Sequence, residues 1–254
     1  MTTTPLPLLL TATIEPPAAV PFLTRRNPAL RLADYCEALR RYLRLPDSIV
    51  DRIVFVDNSA SDLAVLEQLV AAAGTAKDVE LLSFPGRDYP FDQGRSVGET
   101  YLIEDALARS RILSRLGDGD LFWKVTGRLH VRNLARLVAT TPECDLYLDF
   151  RRYRIRWVDT RVFAATPRGF RAAFLSRIEL LRQDLLPAGV VAPEQRLFDE
   201  LGELADAIRL EPRLRVEPSI EGRSGLGEDY RRPRRRLESG VRAVTRRIAP
   251  SLWI

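Results

Sequence analysis

From Pro5 to Ile14 the chain is apolar with interspersed threonines, and it stops at Glu15-Pro16-Pro17. An apolar, β-branched run closed by prolines predicts a buried strand. Leu30, Ala33, Leu39, Tyr42 and Leu43 then recur at helical spacing between Asn27 and Leu45. Asn27-Pro28 predicts an N-cap with proline in the first turn, and Pro46 ends the helix. A second continuous apolar run, Arg52 to Val56, closes on Asp57-Asn58-Ser59, and a helix from Asp62 to Ala73 ends at Gly74. The pattern continues with a strand at Val79 to Phe84 and a Gly- and Asp-containing loop from Gly86 to Gly98. A helix at Glu99 to Leu116 buries Leu102, Ile103, Ala106, Leu107 and Ile112, and a fourth strand spans Leu121 to Val125.

Strands alternating with helices of ten or more residues predict an α/β fold with a doubly wound, mostly parallel sheet. In such a sheet the ligand crevice lies at the carboxyl ends of the strands. The polar residues expected there are Thr13 and Glu15, Asp57-Asn58-Ser59, the Pro85 to Gly98 loop, and Thr126-Gly127-Arg128. The second half is less regular. It predicts a strand at Asp145 to Phe150 with a hairpin partner at Arg156 to Ala164, helices at Pro167 to Leu181 and Pro193 to Ile208, and a Gly-rich loop at Glu221 to Tyr230. Residues 1–230 are expected to form one domain, and 231–254 a separate tail.

Composition excludes several classes. At 254 residues and 46% hydrophobic content the chain can fill a sizeable core, which excludes disorder. The start lacks a basic segment and reads as a strand and not a signal peptide, and no apolar run is long enough to span a bilayer. Cys36 and Cys144 lack metal-ligand spacing, which points to a reduced cytoplasmic setting without zinc. The net charge of +5 is unevenly placed: between Arg231 and Arg247 eight arginines face Glu238 alone, a local charge of +7 that leaves −2 elsewhere. A nucleic-acid binder carries its positive face on the folded domain with aromatics for stacking, so nucleic acid is not an expected partner.

The candidate chemistry follows the strand ends. Asp57-Asn58-Ser59 suits a nucleoside, with a carboxylate accepting from a base N–H or ribose hydroxyl; the same tripeptide also serves as a turn and helix cap. Asp92-Gln93-Gly94-Arg95 brings backbone and a guanidinium toward an anion. The sharpest signal is Lys124-Val125-Thr126-Gly127-Arg128, because lysine occurs only at Lys77 and Lys124 in a chain of 39 basic residues. A compact ammonium on a buried strand and a guanidinium after a glycine both suit phosphate, and a structural salt bridge is the alternative for Lys124. His130 reads as an ordinary surface or half-buried side chain.

The segments Thr11-Ala12-Thr13-Ile14-Glu15, Ile53 to Ser59, Gly94 to Glu99 and Trp123 to Leu129 together resemble bacterial glycosyltransferases related to family 2, of the surface-polysaccharide assembly type. The resemblance covers about residues 8 to 230, and Lys-x-Thr-Gly-Arg is its most specific part. It implies the A-type, nucleotide-diphospho-sugar transferase fold and a nucleotide-sugar donor, with a glycan or lipid-linked acceptor. It also implies that Thr13, Glu15 and Asp57 lie around the nucleoside, and that Gly94, Arg95 and Glu99 border the donor. The chain departs from such enzymes in one respect: they commonly end the fourth strand with Asp-x-Asp holding a divalent metal, whereas Asp118-Gly119-Asp120 here precedes that strand. Lys124 and Arg128 are therefore expected to replace a metal, and no cofactor is expected.

An inverting transfer needs a carboxylate base. Glu194, opening a helix after Ala192-Pro193, is the first candidate and Asp159 the second, although a first-turn carboxylate also serves as a helix cap. In the tail, Leu237, Val241, Val244 and Ile248 form one helical stripe with arginines off it and Trp253 beyond. A basic amphipathic helix of this kind suits an anionic membrane surface and a peripheral site on the inner face of the cell membrane, or docking on the domain. A sugar nucleotidyltransferase and a non-catalytic nucleotide-binding or scaffold protein remain the rival readings.

Overall fold

The structure, a computed structural model, describes residues 5–20, 23–152, 156–186, 192–202, 204, 207–249 and 252. Trp253 and the three residues 203, 205 and 206 of the expected Pro193 to Ile208 helix lie outside them.

The first strand, β1 (Leu8–Ala12), is buried along its whole length and is an interior strand of a seven-stranded sheet. It pairs in parallel with β2 (Arg52–Asp57) on one side and β4 (Phe122–Thr126) on the other, and β3 (Asp78–Ser83) extends the sheet beyond β2. Beyond β4 come β7 (Trp157–Ala165), β6 (Leu146–Arg151) and β8 (Leu210–Glu211). Within this sheet β7 alone runs against the others, so the expected mostly parallel sheet is observed. A two-stranded ribbon of β5 (Leu129–Val131) and β9 (Ile220–Gly222) stands beside it.

Side-chain alternation on the strands explains the two-sided wrapping. Leu8 and Leu10 face a core shared with α1 (Pro28–Leu43), α2 (Ala64–Ala73) and α4 (Leu134–Ala139), while Leu9 faces a second core with α3 (Arg95–Arg109), α5 (Pro167–Ala173) and α6 (Pro193–Leu201). Each fully buried leucine contributes about 1.5–3 kcal/mol, so β1 anchors both cores. Asn27 caps α1 by accepting from the Leu30 N–H, and Gly74 ends α2 in a left-handed conformation, as their residue types predict.

Three boundaries differ from the sequence reading. Gly98 lies inside α3, which begins at Arg95, and an added Cβ would stand 2.0 Å from the Tyr89 hydroxyl, so this glycine serves packing. The expected helix at Pro167 to Leu181 ends as α5 at Ala173 and continues as a 3₁₀ segment, Leu175–Leu181, which is itself interrupted by the non-helical Arg177. β8, β9 and the short α4 have too few residues to show a periodicity.

The tail forms α7 (Pro233–Ile248), and its orientation is informative. Arg246, opposite the apolar stripe, is buried and donates to Asp149 at 2.8 and 3.0 Å and to Glu217 at 2.6 Å, while Arg242 reaches Glu217 at 2.6 Å. The helix docks through arginines. Its stripe faces outward, with Leu237 69%, Val241 52%, Val244 57% and Ile248 78% exposed.

Candidate functional site

The sheet order reverses direction of growth at β1: β2 and β3 are added on one side, β4 on the other. A crevice opens where strand order reverses in this way. Thr11 at the end of β1 and Thr126 at the end of β4 are register partners there.

Between them lies a buried polar cluster. The Lys124 ammonium is fully buried and stands 2.8 Å from Glu99 Oε1, donating also to the Thr160 carbonyl at 2.9 Å and to Thr126 Oγ1 at 3.3 Å. Thr11 Oγ1 donates to the same Glu99 oxygen at 2.7 Å. Burial pushes the Lys124 ammonium down and Glu99 restores part of it, whereas for Glu99 burial is outweighed by Lys124, Thr11 and Arg128, which hold the carboxyl below its ordinary range. The pair is therefore ionic. This geometry favours the structural salt bridge, the alternative for Lys124, because three acceptors already take its three protons. Lys77 is also buried, pairing with Asp47 and donating to the Val50 carbonyl, so both lysines of the chain are compact interior cations.

Asp57 is engaged in the same way, in its alternative role as a turn. It is fully buried and accepts from the Ile14, Ser59 and Ser61 N–H groups and from the Ser59 and Ser83 hydroxyls. Its oxygens tie the ends of β1, β2 and β3 together, leaving none for a nucleoside. Thr13 and Asn58 hydrogen bond at 2.6 Å on the rim, and the exposed Glu15 donates its N–H to the Ser59 hydroxyl. Gly127 is also structural: its N–H donates to the Thr11 carbonyl at 2.8 Å, and a Cβ would meet that oxygen at 2.9 Å. Its missing side chain lets β4 close on β1, not on a ligand.

The guanidiniums behave differently. Gly94, at φ 93°, opens α3 and places Arg95 on the rim. Arg128 donates through Nε to the Arg223 carbonyl at 3.0 Å. A Cβ on Gly225 would lie 2.9 Å from Arg95 Nη1 and 3.2 Å from Arg128 Nη2, so the turn at Gly225 passes directly over both. The turn is held down by the Thr24 and Arg25 N–H groups on the Gly225 carbonyl. Beneath is Arg31, buried, which donates to the Thr13 and Arg25 carbonyls and the Tyr35 hydroxyl. Burial depresses Arg31 and Arg95, and Arg128 depresses both further. Among the described residues no carboxylate lies within 4.0 Å of these three guanidiniums. They form a positive recess in which none of the three is ion-paired, although Glu194 and Glu99 act on Arg95, and Asp34 on Arg31, at longer range.

The expected carboxylates separate. Asp159 is buried between Arg161 at 2.8 Å and Arg151 at 2.9 Å, and although burial opposes it, these arginines hold its carboxyl far below the usual range. An acid so held is a poor base. Glu194, in the first turn of α6, lies 3.5 Å from the Ser96 hydroxyl, and burial raises its carboxyl against Arg95 and its own N–H, with Glu99 and Asp159 raising it further. His130 is half-buried beside Arg41, and burial followed by Arg41 lowers it. Asp118 and Asp120 lie in an exposed turn at the opposite end of β4, where Asp120 accepts from the Gly117 N–H. Among the described residues no cluster of three His, Cys, Asp or Glu is arranged to hold a metal.

Arg31 is absent from the sequence reading. Its signal is visible in retrospect: Arg31, Tyr35, Ala38 and Tyr42 share the buried face of α1, so a charge occupies an apolar register.

No family model matches the chain, and no curated protein does. Among solved structures, the chain is similar to the apo form of the glycosyltransferase GlyE of Streptococcus pneumoniae TIGR4, at 11% identity and a TM-score of 0.47, covering 82% of this chain and 45% of that one. It is also similar to a nucleoside-diphosphate-sugar pyrophosphorylase from Vibrio cholerae RC9, at 12% identity and 0.43, over 82% and 91% of the two chains. A third is HddC from Yersinia pseudotuberculosis, at 10% and 0.38, over 94% and 99%. The chain thus spans less than half the length of GlyE. At these scores the residues of this chain, not its neighbours, carry the functional reading.

Proposed function

We propose that the chain is a glycosyltransferase that moves a sugar from a nucleoside-diphosphate donor to an acceptor hydroxyl. The observation that carries this reading is the recess of Arg31, Arg95 and Arg128, none of them ion-paired among the described residues, at the switch point of a parallel sheet and roofed by the Gly225 turn. Three guanidiniums match the oxygens of a diphosphate, and charge-assisted hydrogen bonds of this kind contribute about 1.5–3 kcal/mol each. Thr13, Asn58, Ser59 and Glu15 on the adjoining rim hold the nucleoside, and the ionised, partly exposed Glu99 accepts from sugar hydroxyls.

In the reaction, Glu194 takes the proton of the acceptor hydroxyl. That oxygen attacks the anomeric carbon from the face opposite the diphosphate, and the bond from the anomeric carbon to the phosphate oxygen breaks with its electron pair. Arg95 and Arg128 neutralise the departing nucleoside diphosphate. A raised carboxyl suits this role, since a base works best with a pKa near the working pH. The transfer inverts the anomeric carbon. It needs no divalent metal, because the cations of the recess stand where the leaving group forms while Asp118 and Asp120 stand at the far end of β4. Chelation with EDTA should leave donor affinity within about tenfold, or 1.4 kcal/mol.

The acceptor is a glycan or lipid-linked intermediate of surface-polysaccharide assembly, and α7 brings the enzyme to the inner membrane surface. The outward stripe from Leu237 to Ile248, flanked by exposed arginines, supports this part of the reading.

A thermal-shift screen with UDP-, GDP-, dTDP- and CMP-sugars tests the donor. One nucleoside diphosphate sugar should raise the melting temperature and then yield free nucleoside diphosphate on turnover. A chain that responds to no nucleotide is a scaffold. One that instead releases pyrophosphate from a nucleoside triphosphate and a sugar phosphate is a nucleotidyltransferase.

A further inference from the structure

A second positively charged cavity lies away from the crevice, between the inner face of α7 and the β5–β9 ribbon. It has a volume of about 390 Å³, within the 300–1,000 Å³ range typical of ligand sites. Its wall carries Arg132, Arg136, Arg215, Arg235, Arg236 and Arg247, together with Arg246, and only two carboxylates, Glu217 and Glu221. Both carboxylates are engaged: Glu217 by Arg242 and Arg246, and Glu221 by Arg41 at 2.8 Å. Among the described residues Arg136, Arg215 and Arg247 have no carboxylate within 4.0 Å. The cavity is therefore a basin of surplus positive charge, lined also by the hydroxyls of Ser219, Ser239 and Tyr230.

Its position on α7 narrows the ligand. At 3.6 residues per turn, Gly240 and Arg247 on the cavity wall lie one ridge away from Val244 on the exposed stripe. One edge of the cavity thus borders the apolar surface. A molecule seated on both would be apolar where it meets Val244 and Ile248 and anionic where it enters among the arginines.

We infer that the cavity beneath α7 binds the terminal phosphate of an anionic lipid headgroup, a phosphomonoester or pyrophosphate whose chains lie along the α7 stripe. This rests on the reading that α7 faces a membrane. Guanidinium groups pair bidentately with phosphate oxygens, and a terminal phosphate offers more of them, with more charge, than a phosphodiester. Held this way, the lipid fixes α7, and through Arg246 the β6–β7 hairpin, in one orientation to the bilayer.

The test is vesicle flotation of the full chain at matched vesicle surface charge, comparing phosphatidic acid, which exposes a phosphomonoester, with phosphatidylglycerol, a phosphodiester. The inference predicts at least about tenfold tighter binding to phosphatidic acid, and loss of that preference in Arg136→Gln/Arg247→Gln. The control pair Arg232→Gln/Arg234→Gln, exposed and outside the cavity, should weaken both vesicles alike and keep the preference. Neither pair has a carboxylate partner in the cavity, so melting temperatures check that all variants fold.

Equal binding to both vesicles overturns the cavity inference while leaving the membrane reading intact. Binding to neither, with inorganic pyrophosphate titrating Arg136 and Arg247 in calorimetry, overturns the lipid source in favour of a soluble phosphate. Leu237→Ser/Ile248→Ser separates the two further: it should abolish flotation yet leave pyrophosphate binding unchanged. A preference for phosphatidic acid that survives Arg136→Gln/Arg247→Gln also overturns the assignment.

Discussion

Two arginine-rich regions of this molecule have opposite charge balance. Between β6, β7 and α7, Asp149 and Asp159 face each other across the strands, an arrangement that repels, and Glu217 lies beside them. Arg151, Arg161, Arg242 and Arg246 bridge all three carboxylates. At the ends of β1 and β4, by contrast, Arg31 and Arg128 donate to carbonyls and a hydroxyl, and among the described residues neither they nor Arg95 have a carboxylate within 4.0 Å. Both regions desolvate guanidinium groups. In the first the protein supplies the counter-charge, so the arginines hold structure together; in the second none of the arginines is ion-paired, and the proposed diphosphate site rests on that difference.

The largest expected effect breaks the balanced region. Arg246→Ala leaves Asp149 and Glu217 buried with fewer cations and should cost about 3–5 kcal/mol, the usual penalty for removing one partner of a buried pair. Chemical denaturation measures it, and a loss below about 1 kcal/mol would mean that α7 is not docked through this network. The same region makes the fold acid-sensitive. Asp159 has a folded pKa below its unfolded value of about 3.9, so its contribution is complete above that pH and disappears as the pH falls through the folded value. Asp159→Asn should flatten the acid limb of the stability curve.

The next effect belongs to Glu194. Glu194→Gln keeps the shape and removes the base, so turnover should fall by about 10²-fold or more while donor affinity is retained. Because burial raises this carboxyl, wild-type turnover should decline with falling pH at a value above the ordinary glutamate pKa of about 4.3. A group with a raised folded pKa favours folding below its unfolded pKa and loses that contribution as pH rises. At neutral pH the ionised Glu194 is thus a cost, and Glu194→Gln should melt no lower than wild type. Near wild-type turnover in that variant rules out Glu194 as the base.

Much of the first half was legible because β1 and β2 are buried on both faces and α1 and α2 carry clear start or stop residues. The run Leu8 to Ala12, the Asn27-Pro28 cap and the Gly74 stop are local signals, and the structure uses each as such. The site was legible in position but not in role. That Thr126, Arg128 and Arg95 lie at the strand ends followed from strand-end logic, and Glu99 was added by the family resemblance. Which cation is neutralised did not follow, because Glu99 reaches Lys124 from α3, a pairing set by how the helix sits on the sheet. For the same reason Asp57 reads as a free strand-end acid in sequence and is a saturated knot in three dimensions. The α7 stripe was visible as a stripe. Its outward orientation depended on Asp149 and Glu217, distant in sequence, attracting the opposite face.

A smaller effect sharpens the contrast within the crevice itself. Lys124→Met should lower stability, since it leaves the half-buried Glu99 without its cation, yet weaken donor binding less than Arg128→Gln does. Equal losses of affinity would return Lys124 to direct phosphate contact.

The central claim is that the guanidiniums without an ion-pair partner are the diphosphate site. Calorimetric titration of the preferred nucleoside diphosphate into wild type and Arg95→Gln/Arg128→Gln tests it most directly. Two charge-assisted contacts at about 1.5–3 kcal/mol each predict at least a hundredfold loss of affinity, with a melting temperature equal to or above that of wild type because repulsion between the two has been removed. Unchanged affinity in the folded double variant would contradict the account.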